Sequence, residues 1–202
     1  MNSTAESHED ALTSRTGMWL FLFTEMLLFG GLFVVYTIYR FRNATAFHLA
    51  AEELSVFIGT VNTIILLISS STIAMSITAI KENRKKLSLA LIIVTILLGI
   101  AFLINKYFEW GEHISEGIYP GSSILRQRGH GDVLFYGLYY FLTGLHALHI
   151  IIGLSFIGVI GVLIFNNKIN QKKNALLENG ALYWHLVDLI WIFLFPLFYL
   201  IT

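Results

Sequence analysis

Residues 133–165 read VLFYGLYYFLTGLHALHIIIGLSFIGVIGVLIF and contain no formally charged side chain. An α-helix needs about 20 predominantly apolar residues to cross the hydrocarbon core of a bilayer, which is about 30 Å thick. Lipid offers no hydrogen bonds to backbone groups, so a spanning segment must satisfy them within a helix or a closed barrel. A barrel strand would alternate polar and apolar residues over about ten positions. This stretch is apolar on all sides and therefore predicts a transmembrane helix.

Four other stretches share this character, and only Glu25 and Asp188 interrupt them in mid-span. Of the 202 residues, 56% are hydrophobic and 13% are charged, about half the charged fraction of a soluble domain. We expect an all-α fold, an integral membrane bundle of five helices at about 17–39, 54–80, 87–107, 133–165 and 179–201. The bundle should form one domain, 17–202, preceded by a short hydrophilic tail, 1–16.

Basic residues in the short connections indicate the orientation, because cytoplasmic loops carry an excess of lysine and arginine. One side collects Arg15, Lys81, Arg84, Lys85, Lys86, Lys168, Lys172 and Lys173, and the other Arg40, Arg42, Arg126 and Arg128, with Lys106 near it. This bias predicts a cytoplasmic N-terminus and an external C-terminus. The formal net charge is zero, so we expect no nucleic-acid partner, and the absence of cysteine excludes disulfides and thiolate metal sites.

Several polar side chains fall inside the predicted spans or at their ends. A charged group at mid-membrane costs about 2.5–3.5 kcal/mol on insertion scales, so such residues usually face the bundle interior. Glu25 is expected to be protonated, paired with a residue of another helix, or hydrated, and it could have a proton or lipid role. The others are interpreted as a structural or lipid-facing polar cluster: Asn62, Glu109, His146, His149, His185 and Asp188.

Spacing along the helices suggests how some of these residues pair. His185 and Asp188 lie one turn apart on one helix face, which predicts an intramembrane hydrogen-bonded pair. A haem held between His149 and His185, or copper held by these two with His146, would be the metal alternatives. Neither has a diagnostic spacing, so we expect no metal site and no catalytic residue on this chain. Glycines of the fourth span, Gly137, Gly144, Gly153, Gly158 and Gly161, favour close helix packing.

Five motifs in order resemble subunit III of the haem–copper oxidases. WLFLFTEMLLFG at 19–30 is similar to the first core helix of that family, and NT at 62–63 with LLISS at 66–70 to the next. YFEW at 107–110, TGLHALH at 143–149 and YWHLVDLIW at 183–191 resemble the family's later signatures. The resemblance covers nearly the whole chain after Thr16, in the short bacterial form that lacks the first two of seven spans.

The resemblance implies an accessory subunit of a proton-translocating terminal oxidase in a bacterial inner membrane. Haems and copper would reside on subunits I and II, and this chain would carry none. It would hold phospholipid in a cleft, stabilise the catalytic subunit and support proton uptake. Glu25 matches the family's carbodiimide-reactive carboxylate.

Alternatives from other classes stay open at this point. Cytochrome c would be the electron donor, with quinol as the runner-up, and either would act only through the complex. A related subunit of a nitric oxide reductase is a second candidate. A small proton or solute carrier using Glu25, Asp188 and the histidines is a third.

Overall fold

The computed structural model describes the backbone of residues 2–171 and 173–200, and the side chains of residues 13, 16–171 and 173–200. Helices dominate this part of the chain, which has no strand beyond an isolated bridge between Asn170 and Lys173. Its seven α-helices are α1 (Asn2–Arg42), α2 (Ala44–Glu52), α3 (Val56–Lys81), α4 (Lys85–Ser115), α5 (Ser123–Arg128), α6 (His130–Phe165) and α7 (Ala175–Phe195). A π-helical turn, Pro196–Leu200, continues α7.

Five helical segments are long and apolar enough to cross a membrane: Thr16–Arg42, Val56–Lys81, Lys85–Ser115, His130–Phe165 and Ala175–Leu200. They coincide with the five spans predicted from composition, and the all-α bundle is confirmed. The orientation of the termini stays a prediction.

The connections between the spans contain more helix than predicted. A change from apolar to polar residues does not by itself end a helix. The third span was expected to stop near residue 107, yet α4 continues to Ser115 and stops before Gly117, whose φ of +77° is left-handed. The expected loop at 41–53 contains α2, which buries Phe47, Ala50 and Ala51. The expected loop at 108–132 contains the end of α4 and the short helix α5.

Packing places α7 at the centre of the bundle and α1 at its edge. α7 packs against α3 and α6, and α3 pairs lengthwise with α4 through the turn at residues 82–84. In the most hydrophobic window of each span, 56% of residues are buried in α7 but only 11% in α1. α1 therefore leaves most of its surface outside the bundle.

Only some of the α6 glycines for which the sequence predicted close helix packing are in fact closely packed. A Cβ atom on Gly153 would lie 2.9 Å from the ring of Trp184, so only glycine fits there without movement. Gly137 and Gly158 have no atom within 4 Å of such a Cβ. The prediction of close packing holds at Gly153 and is wrong at these two positions.

Candidate functional site

Glu25 of α1 meets His149 of α6 at the edge of the bundle. Glu25 Oε2 lies 2.9 Å from Nε2 of His149, and Nδ1 of the same ring lies 2.7 Å from the carbonyl oxygen of Leu145. The ring of Phe29 packs edge-on against the imidazole at 5.4 Å between centroids, and Tyr183 donates to the His149 carbonyl at 3.1 Å. Of the three expectations for Glu25, the structure contains the pairing with another helix.

This geometry determines how many protons the pair holds. The Leu145 carbonyl only accepts, so Nδ1 of His149 carries a hydrogen. The short contact between Nε2 and Oε2 then requires one further proton between them. Either the carboxylic acid donates to a neutral imidazole or an imidazolium donates to the carboxylate. Both forms are neutral as a pair, which removes most of the cost of an isolated charge in hydrocarbon.

His185 and Asp188 do not form the hydrogen bond that their spacing predicted. Nδ1 of His185 lies 2.6 Å from the hydroxyl of Ser70, which belongs to α3. Asp188 is 3% exposed, and neither of its carboxylate oxygens has a hydrogen-bond partner among the described residues. The prediction was wrong because two residues on the same helix face need not point toward each other. The Ser70 hydroxyl, on the neighbouring helix, binds the His185 imidazole instead.

A second polar cluster lies between α4, α6 and the π turn and is centred on Lys106. Its ammonium group donates to Glu109 Oε1 at 3.1 Å and to the hydroxyls of Tyr139 and Tyr199 at 2.9 and 3.0 Å. Both tyrosines also donate to Glu109 Oε1. The aromatic rings of Tyr139 and Trp191 lie 4.8 and 5.6 Å from the ammonium nitrogen. The sequence predicted this lysine near one membrane surface, which stays a prediction, and did not indicate that its side chain is buried in the bundle.

The two remaining predicted polar residues, Asn62 and His146, are also fully buried. Asn62 accepts a hydrogen bond from Asn105 at 2.8 Å. His146 is fully buried between the rings of Phe102 and Trp191, at 5.5 and 5.2 Å between centroids. Both nitrogens of His146 lack a partner among the side chains and backbone that the structure describes.

The arrangement of these histidines bears on the haem and copper alternatives. Within the described ranges, no group of three or more His, Cys, Asp or Glu side chains is arranged to hold a metal ion. His149 is occupied by Glu25 and His185 by Ser70. Two histidines of the copper alternative, His149 and His185, therefore bind separate protein partners, while His146 is enclosed by aromatic rings.

Outside the spans, Glu53 connects three elements at one end of the bundle. Arg128, at the end of α5, donates to Oε1 and Oε2 of Glu53 at 2.7 and 2.8 Å, and Tyr136 of α6 donates to Oε2 at 2.7 Å. Burial acts to raise the pKa of Glu53, but the hydrogen bonds from Tyr136 and Arg128 outweigh it. The pKa of this carboxyl therefore lies below its ordinary value.

Sequence reasoning missed Lys106, Tyr139, Tyr199 and Glu53 as members of polar clusters. One signal was available: Lys106 and Glu109 are three residues apart, the spacing of neighbours on a helix face. Ending the third span at residue 107 placed this pair at the surface and concealed it.

Comparison with known proteins extends over the whole chain. The profile of the family described as cytochrome c oxidase subunit III matches residues 3–202. A heme-copper oxidase subunit I+III of Aeropyrum pernix is 31% identical over 194 residues, 93% of this chain and 22% of that protein, so this chain spans about a fifth of that relative.

Relatives of similar length come from staphylococci. The probable quinol oxidase subunit 3 of Staphylococcus haemolyticus is 29% identical over 98% of this chain and 92% of its own length. The probable quinol oxidase subunit 3 of Staphylococcus aureus is 27% identical with the same coverage. Together with the five-span bundle, the match over residues 3–202 shows that the chain belongs to the cytochrome c oxidase subunit III family.

Proposed function

We propose that this chain is the accessory third subunit of a haem–copper terminal oxidase in a bacterial cytoplasmic membrane. The observation that carries the proposal is the family match over residues 3–202. The polar clusters agree with a non-catalytic role, because the buried ionisable groups of the Glu25 and Lys106 clusters are satisfied mainly by each other. Haems and copper would be carried by subunits I and II.

Quinol is the donor that we propose for the complex. The relatives that match over 92% of their own length are named probable quinol oxidase subunit 3. The sequence motifs led us to expect cytochrome c as the first candidate donor and quinol as the second. The names of these relatives favour the opposite order. The chain would not contact quinol itself and would serve the donor reaction only through the complex.

The outer face of α1 is our proposed docking surface for subunit I. α1 is the least buried span, and Glu25, which it carries, is 16% exposed at the bundle edge. A carboxyl group in contact with lipid tails is unfavourable, so a protein surface that covers it would stabilise the bundle. The relative named subunit I+III also joins the two subunits by name in one protein.

Phospholipid would bind beside the same helix. Met26, Phe29 and Phe33 of α1 face Leu186 and Phe193 of α7 across an apolar groove of about 180 Å³. Such a groove accommodates an acyl chain, since its lining offers almost no polar group. The neutral Glu25–His149 pair, on the same helix as Met26 and Phe29, would take part in proton uptake.

Purification through an affinity tag on this chain tests the assignment. We expect a haem-containing subunit and a copper-binding subunit to co-purify, and the complex to consume oxygen with quinol faster than with reduced cytochrome c. Faster turnover with cytochrome c would overturn the proposed donor but not the accessory role. Nitric oxide reductase subunits in place of the oxidase, or a chain that purifies without any haem protein, would contradict the proposed function.

A further inference from the structure

An acidic cavity of about 250 Å³ lies between the end of α2, the start of α3 and the end of α4. Five carboxylates and one imidazole contribute to its lining: Glu52, Glu53, Glu109, Glu112, Glu116 and His113. Liquid water occupies about 30 Å³ per molecule, so the cavity has room for several waters. Its polar lining makes it a site that water would enter.

Two of these side chains are deeply buried and have polar atoms without partners. Glu109 is 3% exposed and His113 is 7% exposed. Lys106, Tyr139 and Tyr199 all bind Oε1 of Glu109, which leaves Oε2 without a hydrogen bond among the described residues. Nδ1 of His113 likewise has no partner in the part of the chain that the structure describes. Unpaired buried polar atoms are costly, so both atoms require a ligand from the cavity.

The carboxylates of the cavity outnumber the basic groups that pair with them. Lys106 neutralises Glu109, and Arg128 neutralises Glu53. Glu52 lies 3.6 Å from His48, and no ion pair is found for Glu112 or Glu116 among the described side chains. Carboxylates that share a small space favour protons and cations over anions.

His113 lies between the two carboxylate centres of this region. Its ring contacts those of Tyr136 and Tyr139 at 6.1 and 6.3 Å between centroids, and these tyrosines donate to Glu53 and Glu109 respectively. Titratable or charged groups from every neighbouring element surround His113 and Glu109. They come from α2, α4, α5, α6 and the π turn: Glu52, Glu53, Lys106, Glu112, Glu116, Arg128, Asp132, Tyr136, Tyr139, Tyr140 and Tyr199.

We propose that this cavity is a water-filled proton-binding site in which His113 and Glu109 take up and release one proton. A hydronium ion in the cavity transfers its proton to Nδ1 of His113, in the tautomer that carries its hydrogen on Nε2, and leaves a water molecule. Glu112 and Glu116, which line the cavity without an ion pair among the described side chains, would balance the imidazolium charge. Release returns the proton to the same water. Because Glu109 both lines the cavity and binds Lys106, the Lys106 cluster would be connected through the cavity to the water at that end of the bundle.

Thiol labelling tests whether the cavity is wet and prefers cations. The chain has no cysteine, so Ile58→Cys, which lines the cavity, needs no background removal. Leu97→Cys, 59% exposed on the apolar outside of α4, is the matched control. In native membranes opened to both sides, a cationic thiosulfonate should modify Ile58→Cys at least about tenfold faster than an anionic one, and neither should modify Leu97→Cys. An unreactive Ile58→Cys, or equal rates for the two reagents, would overturn the proposal.

Nitrogen-15 NMR of labelled histidine in the full-length chain, held in lipid nanodiscs, tests the proton itself. His113→Gln assigns the ring, and His146, which is fully buried and away from the cavity lining, is the internal control. The His113 ring should change protonation state as the pH of the surrounding solution is varied, because it lines the cavity, whereas the spectrum of the enclosed His146 ring should stay constant.

Two substitutions connect the titration to the cavity. Glu109→Gln should change how the protonation of the His113 ring responds to pH, because it removes a buried carboxylate one helical turn away, whereas Glu82→Gln, in the α3–α4 turn, should leave that response unchanged. A His113 ring that keeps one protonation state while Ile58→Cys reacts would reveal a wet acidic cavity that binds no proton, and would refute the inference.

Discussion

At the scale of single residues, two buried polar clusters combine ionisable side chains with partners from another helix. Glu25 of α1 pairs with His149 of α6, and the Lys106–Glu109 pair of α4 is completed by Tyr139 and Tyr199. Such pairing offsets the desolvation of charge in a medium where water is absent. Each cluster consequently ties one helix to another by polar contacts that a purely apolar interface would lack.

Carbodiimide labelling should fall mainly on Glu25. A lipid-soluble carbodiimide reacts with protonated carboxyls, and the single proton shared with His149 makes the acid form of Glu25 accessible. Glu25 is 16% exposed, whereas Asp188, on the central helix α7, is 3% exposed. Glu25→Gln should abolish labelling and preserve assembly, because the amide can still donate to Nε2 of His149. Peptide mapping checks this, with Asp188→Asn as the control; dominant modification of Asp188 would contradict it.

Removal of Lys106 should destabilise the bundle strongly. Lys106→Met leaves Glu109 as an uncompensated buried charge, a change that typically costs about 3–5 kcal/mol. The double variant Lys106→Met/Glu109→Gln removes both charges and should recover most of the loss. Chemical unfolding in mixed micelles measures both variants. Equal losses in the single and double variants would mean that the charge pair is not the source of the effect.

Spacing along the sequence did not identify the hydrogen-bond partner of His185. Residues 25, 62, 109, 146, 149, 185 and 188 were expected to be polar groups within the bundle, and each of them lies within one of the five spans. Partners depend on how helices distant in sequence are rotated against each other: Ser70 and His185 are 115 residues apart. No spacing within one helix contains that information, so the His185–Asp188 pair was predicted from the only neighbours that the sequence could indicate.

At the scale of elements, composition predicted the spans and failed at their ends. The bilayer requires about 20 apolar residues per span, and this requirement is legible in residues 133–165 without any knowledge of packing. Helix α4, however, runs eight residues past the predicted limit at 107, because its polar last turns carry buried Glu109 and His113 on their inner face. Helix ends follow backbone geometry and capping, which a hydropathy change does not report.

Gly153 should be far less tolerant of alanine than Gly158. A methyl group at 153 would meet the rings of Trp184 and Tyr183 at 2.9 and 3.1 Å, so α6 and α7 would have to separate. Overpacking of this kind typically costs about 1–3 kcal/mol. Gly158→Ala meets nothing and should be neutral or stabilising by up to about 1 kcal/mol, through helix propensity. Thermal unfolding of both variants distinguishes them, and equal effects would refute the packing argument.

The junction of α2, α5 and α6 should weaken in acid through Glu53. Because the folded state lowers the pKa of this carboxyl, its contribution to stability is present above its ordinary pKa of 4.5 and is lost as pH falls below it. Glu53→Gln should be less stable than the parent at neutral pH, and the difference should shrink below about pH 4.5. Melting temperatures of the two chains across this range check it, and a difference independent of pH would contradict it.

At the scale of the whole molecule, the five spans are buried to very different extents. If the bundle stood alone, α1 would be covered on one side only. α7 is enclosed by α3 and α6, while the described part of α1 packs against α2, α6 and α7 and donates from Tyr36 to the Leu197 carbonyl of the π turn. A helix held on one side is positioned to be held on the other side by a second protein. The asymmetry accounts for the placement of Glu25, which is satisfied from within by His149 and partly exposed toward that open side.

The orientation of the bundle can be determined with reporter fusions. Lys85 binds the Phe165 carbonyl and the Asn167 side chain, each at 2.7 Å, and Lys81 binds Glu178 at 2.8 Å. These contacts place the α3–α4 turn and the α6–α7 connection at the same end, where the basic residues collect. The positive-inside rule predicts that this end is cytoplasmic and that the acidic cavity, at the opposite end, faces outward.

Fusions after residues 86 and 173 should therefore report the cytoplasm, and a fusion after residue 202 should report the exterior. Five spans require the last two fusions to differ, whichever way the bundle is inserted. A cytoplasmic signal at all three positions would contradict the five-span count. External signals at 86 and 173 with a cytoplasmic signal at 202 would keep the count and reverse the orientation. In that case, the proton-binding cavity would open to the cytoplasm, where it would take up protons from the side that supplies them for oxygen reduction.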